Sequence, residues 1–231
     1  GLSVRLPDFP IYRQQFWAEL RHVDRSIGQL LSYVAAHYAE DDYIVNLYSD
    51  HGTSIFSPPP PSGRIDVVSE CSTAAAWMMC GAGVPAGAVV HDLTSAVDIY
   101  PTLGHLCGFS AADDIDGHLP AIFGGTARDA VYSASQYPGQ TYKLAVRTHE
   151  HTMRVETREP VDEDGTVNFE QAVVGIYPRG HELDENYAVD STELRAFFYP
   201  RARNFVRETA NNGEFWPAMR KARPEWFGGS T

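Results

Sequence analysis

Lysine is nearly missing from this sequence: Lys143 and Lys221 are the only two, so almost all of the 18 basic residues are arginines. Basic residues are also outnumbered, 18 against 30 acidic ones, for a net charge of −12. Phosphate-rich partners need clustered cations, so this balance argues against a nucleic-acid or anionic-membrane partner. Cysteine is scarce as well. Cys71, Cys80 and Cys107 form an odd set with no C-x-x-C pair, which argues against a disulfide framework or a zinc cluster and leaves buried thiols as the expectation. No apolar run approaches the length of a membrane span. No secretory leader is present and the first residue is Gly rather than Met, so a chain cut from a longer one is expected.

What the sequence does contain is enough apolar material for a core, at 43% hydrophobic and 12% aromatic residues over 231 positions. Residues 12–38 carry Phe16, Leu20, Val23, Ile27, Leu30, Leu31 and Val34 at three- and four-residue spacing, which predicts an amphipathic helix. Gly28 within it suggests a close approach of helix to sheet. A polar link, "AEDD", leads into the run 43–49, which predicts a strand buried on both faces, as in a parallel sheet. "SPPPPSG" at 57–63 can be neither helix nor central strand. A second strand is predicted over 74–80, and a helix over 92–107 that starts or kinks near Pro101 and stops at Gly108. From 130 the texture changes to short strands at 130–135, 142–148, 152–157 and 172–178, joined by hairpin connections. A helix over 191–208 is expected to cover them, interrupted at Pro200.

The chemistry-bearing stretch is "YIVNLYSDHG", residues 43–52. A carboxylate and an imidazole, Asp50 and His51, stand at the end of a predicted strand, where ligands gather in open α/β sheets. Gly52 lets the backbone turn sharply after them. The pair could face one metal ion. Taken alone, it reads more readily as a capping Asp beside an exposed His.

The order of the surrounding segments resembles the C-terminal half of the sulfatases, in the alkaline-phosphatase superfamily. The resemblance runs over roughly residues 10–200. It is carried by Asp24, Ile27 and Gly28; by Ser49 to Gly52; by Gly81, Gly83, Val84, Pro85 and Gly87 in "GAGVPAG"; by Val97 to Leu103 in "VDIYPTL"; and by Asp116 and Gly117. It implies an α/β sheet with helices plus a small C-terminal antiparallel sheet and helix. The expected organisation is part of the α/β core over 1–128, the small sheet and its helix over 129–208, and a surface tail over 209–231.

The resemblance also implies that Asp50 and His51 match the two metal ligands this half of a sulfatase contributes, with Ser49 and Gly52 shaping the turn. Calcium suits oxygen-rich versions of such a site, and the histidine shifts the expectation towards manganese. The substrate would be a sulfate ester, or a phosphate or phosphonate ester, on a small molecule or glycan. Two features depart from the family. The nucleophile motif C/S-x-P-x-R is absent: Cys71, Cys80 and Cys107 are followed by "STAAA", "GAGVP" and "GFSAA". The family's anion-binding lysine after Asp-His-Gly is also absent, leaving Arg64 as the candidate substrate-binding cation there. These departures predict a chain that is inactive alone, whose open sheet surface packs on a missing N-terminal half or on another copy. A non-catalytic sulfatase-like binding module is the alternative.

Overall fold

The computed structural model describes residues 9–53, 66–137, 139–161, 166–211 and 213–222. Arg64 and the polyproline stretch lie outside the described residues.

Helix α1 (Phe9–His37) forms where the spacing predicts it. Its apolar stripe is not buried, however: Leu20, Val23, Leu30 and Leu31 are exposed, and only Phe16, Ile27 and Val34 are half-covered. Nothing approaches the Cα of Gly28, so the expected close contact with a sheet is not made there. After a 3-10 turn (Glu40–Asp42), strand β1 (Ile44–Tyr48) pairs antiparallel with β2 (Trp77–Gly81), in a register that sets Ile44 against Gly81 and Tyr48 against Trp77. This corrects the parallel, doubly buried strand expected from composition. Ala76 lies beside Ser49, and β1 is half-buried with Tyr48 exposed. Two of the three thiols also depart from expectation, since Cys80 and Cys107 are exposed and Cys71 is only half-covered.

The short helix α2 (Glu70–Thr73) lies between these strands. Helix α3 (Ile99–Cys107) begins after a 3-10 turn (Ala96–Asp98). Pro101 falls in its first turn, where a missing N–H costs nothing, so the helix starts there rather than kinking. Gly108, at φ 75°, ends it in the left-handed conformation that favours glycine.

Strands β3 (Val131–Ser135), β4 (Thr141–Arg147), β5 (His151–Pro160) and β6 (Val173–Pro178) form an antiparallel meander in sequence order. Helix α4 (Thr192–Glu208) covers one face. Leu144, Val146, Met153, Val155 and Ile176 meet Phe198, Ala202 and Val206 there, and this is the main core of the chain. The helix runs through Pro200, which sits on the exposed side. The packing of Phe198 and Ala202 on either side outweighs the roughly 3 kcal/mol that an interior proline costs. Helix α5 (Phe215–Ala222) forms within the stretch expected to be a surface tail.

The other face of the meander is polar. Lys143, Ala145 and Arg147 share one side of β4, by period two, and Arg154 lies opposite Ala145 on β5. Residues 66–73 are held against that side by charges, described next. Among the described residues, no helix is long and apolar enough to cross a membrane.

Candidate functional site

Asp50 and His51 lie just past the end of β1, on a turn fixed from both sides. Ser49 donates its N–H to the Ala76 carbonyl (3.1 Å) and accepts the Ala76 N–H on Oγ (2.8 Å). Gly52 donates its N–H to the Ser72 carbonyl (2.9 Å). A Cβ at Gly52 would stand 2.5 Å from the Cys71 carbonyl oxygen and 2.7 Å from that of Ala74. Both obstacles are backbone, so no side chain fits without moving the segment. Gly52→Ala is expected to cost about 1–3 kcal/mol, as overpacking does, and to shift the His51 ring signals in an NMR spectrum.

Within the turn the two side chains converge. His51 donates its backbone N–H to Asp50 Oδ1 (2.9 Å), and His51 Nε2 lies 3.6 Å from Asp50 Oδ2. His51 Nδ1 is 2.7 Å from the Gly52 carbonyl oxygen. A carbonyl only accepts, so Nδ1 carries a proton, and Nε2 is the nitrogen turned toward the Asp50 carboxylate. That is the arrangement in which metal-binding histidines are usually held. Both side chains are largely exposed, 86% and 73%, so neither is committed to a buried partner. The donor set therefore fits part of a divalent-metal shell. Among the described residues, no group of three or more His, Cys, Asp or Glu side chains could complete one.

The pair opens into a cleft of about 660 Å³ between the β1–β2 segment and the meander, which also reaches His91, Arg147 and Arg179. The wall of this cleft is built from buried charge. Asp66 accepts the Val68 N–H (3.2 Å) and is paired with Arg154 and, at 3.7 Å, with Lys143. Glu182 accepts the Glu70 N–H on Oε1 (2.6 Å) and pairs with Arg147 at 3.4 Å. Arg147 also donates to the Val68 carbonyl, and Arg154 donates to the Glu182 carbonyl (2.9 Å). Burial pulls the Arg147 pKa below its ordinary value, against the charge of Glu182, which raises it. Residues 66–73 thus hang on the sheet, and Gly52 hangs on residues 66–73. The sequence reading named none of Asp66, Arg147, Arg154 or Glu182. The available signal was the parity of Lys143 and Arg147 on one face of a strand whose other face is apolar.

Asp98 is buried and structural. It accepts the Ser95 N–H (2.9 Å) and the His118 N–H (3.0 Å), and takes two hydrogen bonds from Arg128. Burial raises its pKa, but the hydrogen bond from Arg128, the two backbone donors and the Arg128 charge together hold it below the ordinary carboxylate value. His118 lies beside it at 3.8 Å, and His105 packs against Phe123. His149 and His151 flank the β4–β5 hairpin, where Thr148 donates its N–H to the His151 carbonyl (2.9 Å).

The architecture is that of the alkaline-phosphatase-like proteins, mixed helix and sheet with a small antiparallel sheet at one end. Within that class it is the sulfatases that the chain resembles. It is 30% identical over 131 residues to the N-acetylgalactosamine-6-sulfatase of Canis lupus familiaris, a match over 51% of this chain and 25% of that protein. A solved 2-O GAG sulfatase superposes with a TM-score of 0.64 at 15% identity, over 96% of this chain and 46% of that one. A second solved protein, in complex with its substrate D-glucosamine-2-N,6-O-disulfate, superposes with a TM-score of 0.58 at 18% identity, over 84% of this chain and 39% of that one. No family model matches the chain. The chain thus spans a quarter of the curated relative and less than half of these solved neighbours, consistent with their C-terminal portion.

Proposed function

We propose that this chain is the C-terminal portion of a metal-dependent sulfate-ester hydrolase, that it contributes Asp50 and His51 to the metal site, and that it is inactive by itself. One observation carries the reading: in a sulfatase-like fold, an adjacent Asp-His pair at a strand end faces a cleft, with Nδ1 of His51 tied to a backbone carbonyl and Nε2 turned toward the Asp50 carboxylate. A divalent ion held there, manganese before calcium given the nitrogen donor, would offset the charge that builds on an ester oxygen. This chain's share of the work is to hold the carboxylate and imidazole convergent, through Ser49 on one side and Gly52 on the other. The remaining ligands and the nucleophile would come from an N-terminal half, which the C/S-x-P-x-R motif missing here would identify. That half, or a second copy of the chain, would cover the open stripe of α1.

The organic part of the substrate is proposed to be a sugar, by analogy with the sulfated glucosamine bound by the solved neighbour. A phosphate or phosphonate ester is the close variant. Arg64 remains a proposed anion-binding residue.

The test uses the 231-residue chain. Manganese titrated calorimetrically is expected to bind weakly, and Asp50→Asn and His51→Gln are each expected to lower the affinity about tenfold or more. Equal affinity in all three proteins would remove the metal site. Turnover of an aryl sulfate or aryl phosphate by the pure chain would overturn its inactivity. The missing motif and the incomplete ligand set favour one second reading, a non-catalytic binding module. An adjoining coding segment with the nucleophile motif would decide for the enzyme.

A further inference from the structure

Arg179 lines the same cleft as Asp50 and His51, and its side chain is held by one end only. Its backbone is fixed where β6 ends: the N–H donates to the Glu150 carbonyl (2.8 Å), and Gly180 turns the chain away at φ +82°. Its Nε donates to Glu70 Oε1 at 2.6 Å. Glu70 is fixed in turn, because its own N–H donates to the buried Glu182 carboxylate (2.6 Å). The two terminal nitrogens of Arg179 have no hydrogen-bond partner among the described residues, and the side chain is 36% exposed. Arg147, the other arginine on the cleft, differs in this respect, being 4% exposed and engaged with Glu182 and the Val68 carbonyl.

A guanidinium anchored through Nε presents its two terminal amino groups as a planar fork. That fork matches the two oxygens of a carboxylate or sulfate. Arg147 and Arg179 are balanced by Glu70 and Glu182, so an anion would be selected by the geometry of the fork rather than by a positive field. We propose that Arg179 is a substrate-binding residue that takes a second anionic group, sulfate or carboxylate, of an ester whose reacting group sits at Asp50 and His51. The substrate class is then a polyanionic sugar ester rather than a simple monoester. This inference rests on the proposed role of the cleft, but it concerns a different residue and has a separate readout.

The experiment follows the arginine Nε–Hε signals of the isotope-labelled 231-residue chain in an NMR titration with inorganic sulfate and, separately, with glucuronate. The Arg179 signal is expected to shift saturably with at least one of the two, and the tighter arm identifies the group. Arg179→Gln is expected to weaken that binding about tenfold, the loss of one charge-assisted bidentate contact. Arg179→Lys keeps the charge and the pairing with Glu70 but loses the fork, and is expected to fall between. An Arg179 signal that moves with neither anion, or wild-type binding by the Gln variant, would overturn the proposal and leave Arg179 as an ion partner of Glu70. Loss of manganese binding as a property of Asp50 and His51, with the Arg179 response intact, would count against the metal reading alone.

Discussion

Glu182→Ala is expected to destabilise the chain by about 3–5 kcal/mol, read from the midpoint of urea unfolding at constant slope. The side chain is 3% exposed, and it answers two groups, the buried Arg147 guanidinium and the half-buried Glu70 N–H. Removing it leaves a buried cation with only the Val68 carbonyl and a long contact to Ser133. That penalty is a large part of a typical domain's 5–15 kcal/mol. The mechanism makes a second, opposite expectation. Arg147→Leu combined with Glu182→Leu takes both charges away, so the pair should recover much of the loss. A double variant as unstable as Glu182→Ala would mean that the Glu70 N–H, not the ion pair, sets the cost.

Asp98→Asn is expected to cost about 3 kcal/mol at neutral pH, since it breaks a buried pair with Arg128 while keeping the shape of the side chain. The pH dependence has a definite sign. The folded-state pKa of Asp98 lies below the ordinary carboxylate value, so its contribution is complete above that value, about 4. It disappears as the pH falls through the lower folded-state pKa. Denaturant midpoints of the wild type and Asp98→Asn should therefore differ by a constant amount above about pH 5 and converge under more acid conditions. A gap that widens with acid would show that Asp98 is protonated in the fold, contrary to its four hydrogen bonds.

Local signals were the legible ones. The strand and helix positions of the C-terminal half follow from alternation and from turn residues, and each strand lies within a few residues of its predicted place. Gly108 and Pro101 act where their backbone preferences put them. The direction of β1 was not legible, because an apolar run is silent on whether its neighbour is parallel or antiparallel. That depends on where residues 49–76 carry the chain. The openness of α1 was equally hidden: periodicity names the face a helix would bury, not whether anything arrives to bury it. At the candidate site, the adjacency of Asp50 and His51 was legible. The tether from Gly52 through Ser72 to Glu182 was not, since it joins positions more than a hundred residues apart by single contacts. Arg179 was passed over for a related reason. One arginine in "YPRGHELDEN" looks like any surface cation until Glu70 is seen to hold it by one end.

The two faces of the meander are built from different materials. The α4 side is closed by hydrocarbon, and the side towards residues 66–73 by ion pairs and a few backbone hydrogen bonds. Water can substitute for the second kind of contact but not for the first. The seam between the sheet and the Asp-His segment can therefore loosen without the sheet losing its core. A protein joined in this way can exchange the segment that carries Asp50 and His51, or alter it by mutation, while inheriting the sheet unchanged.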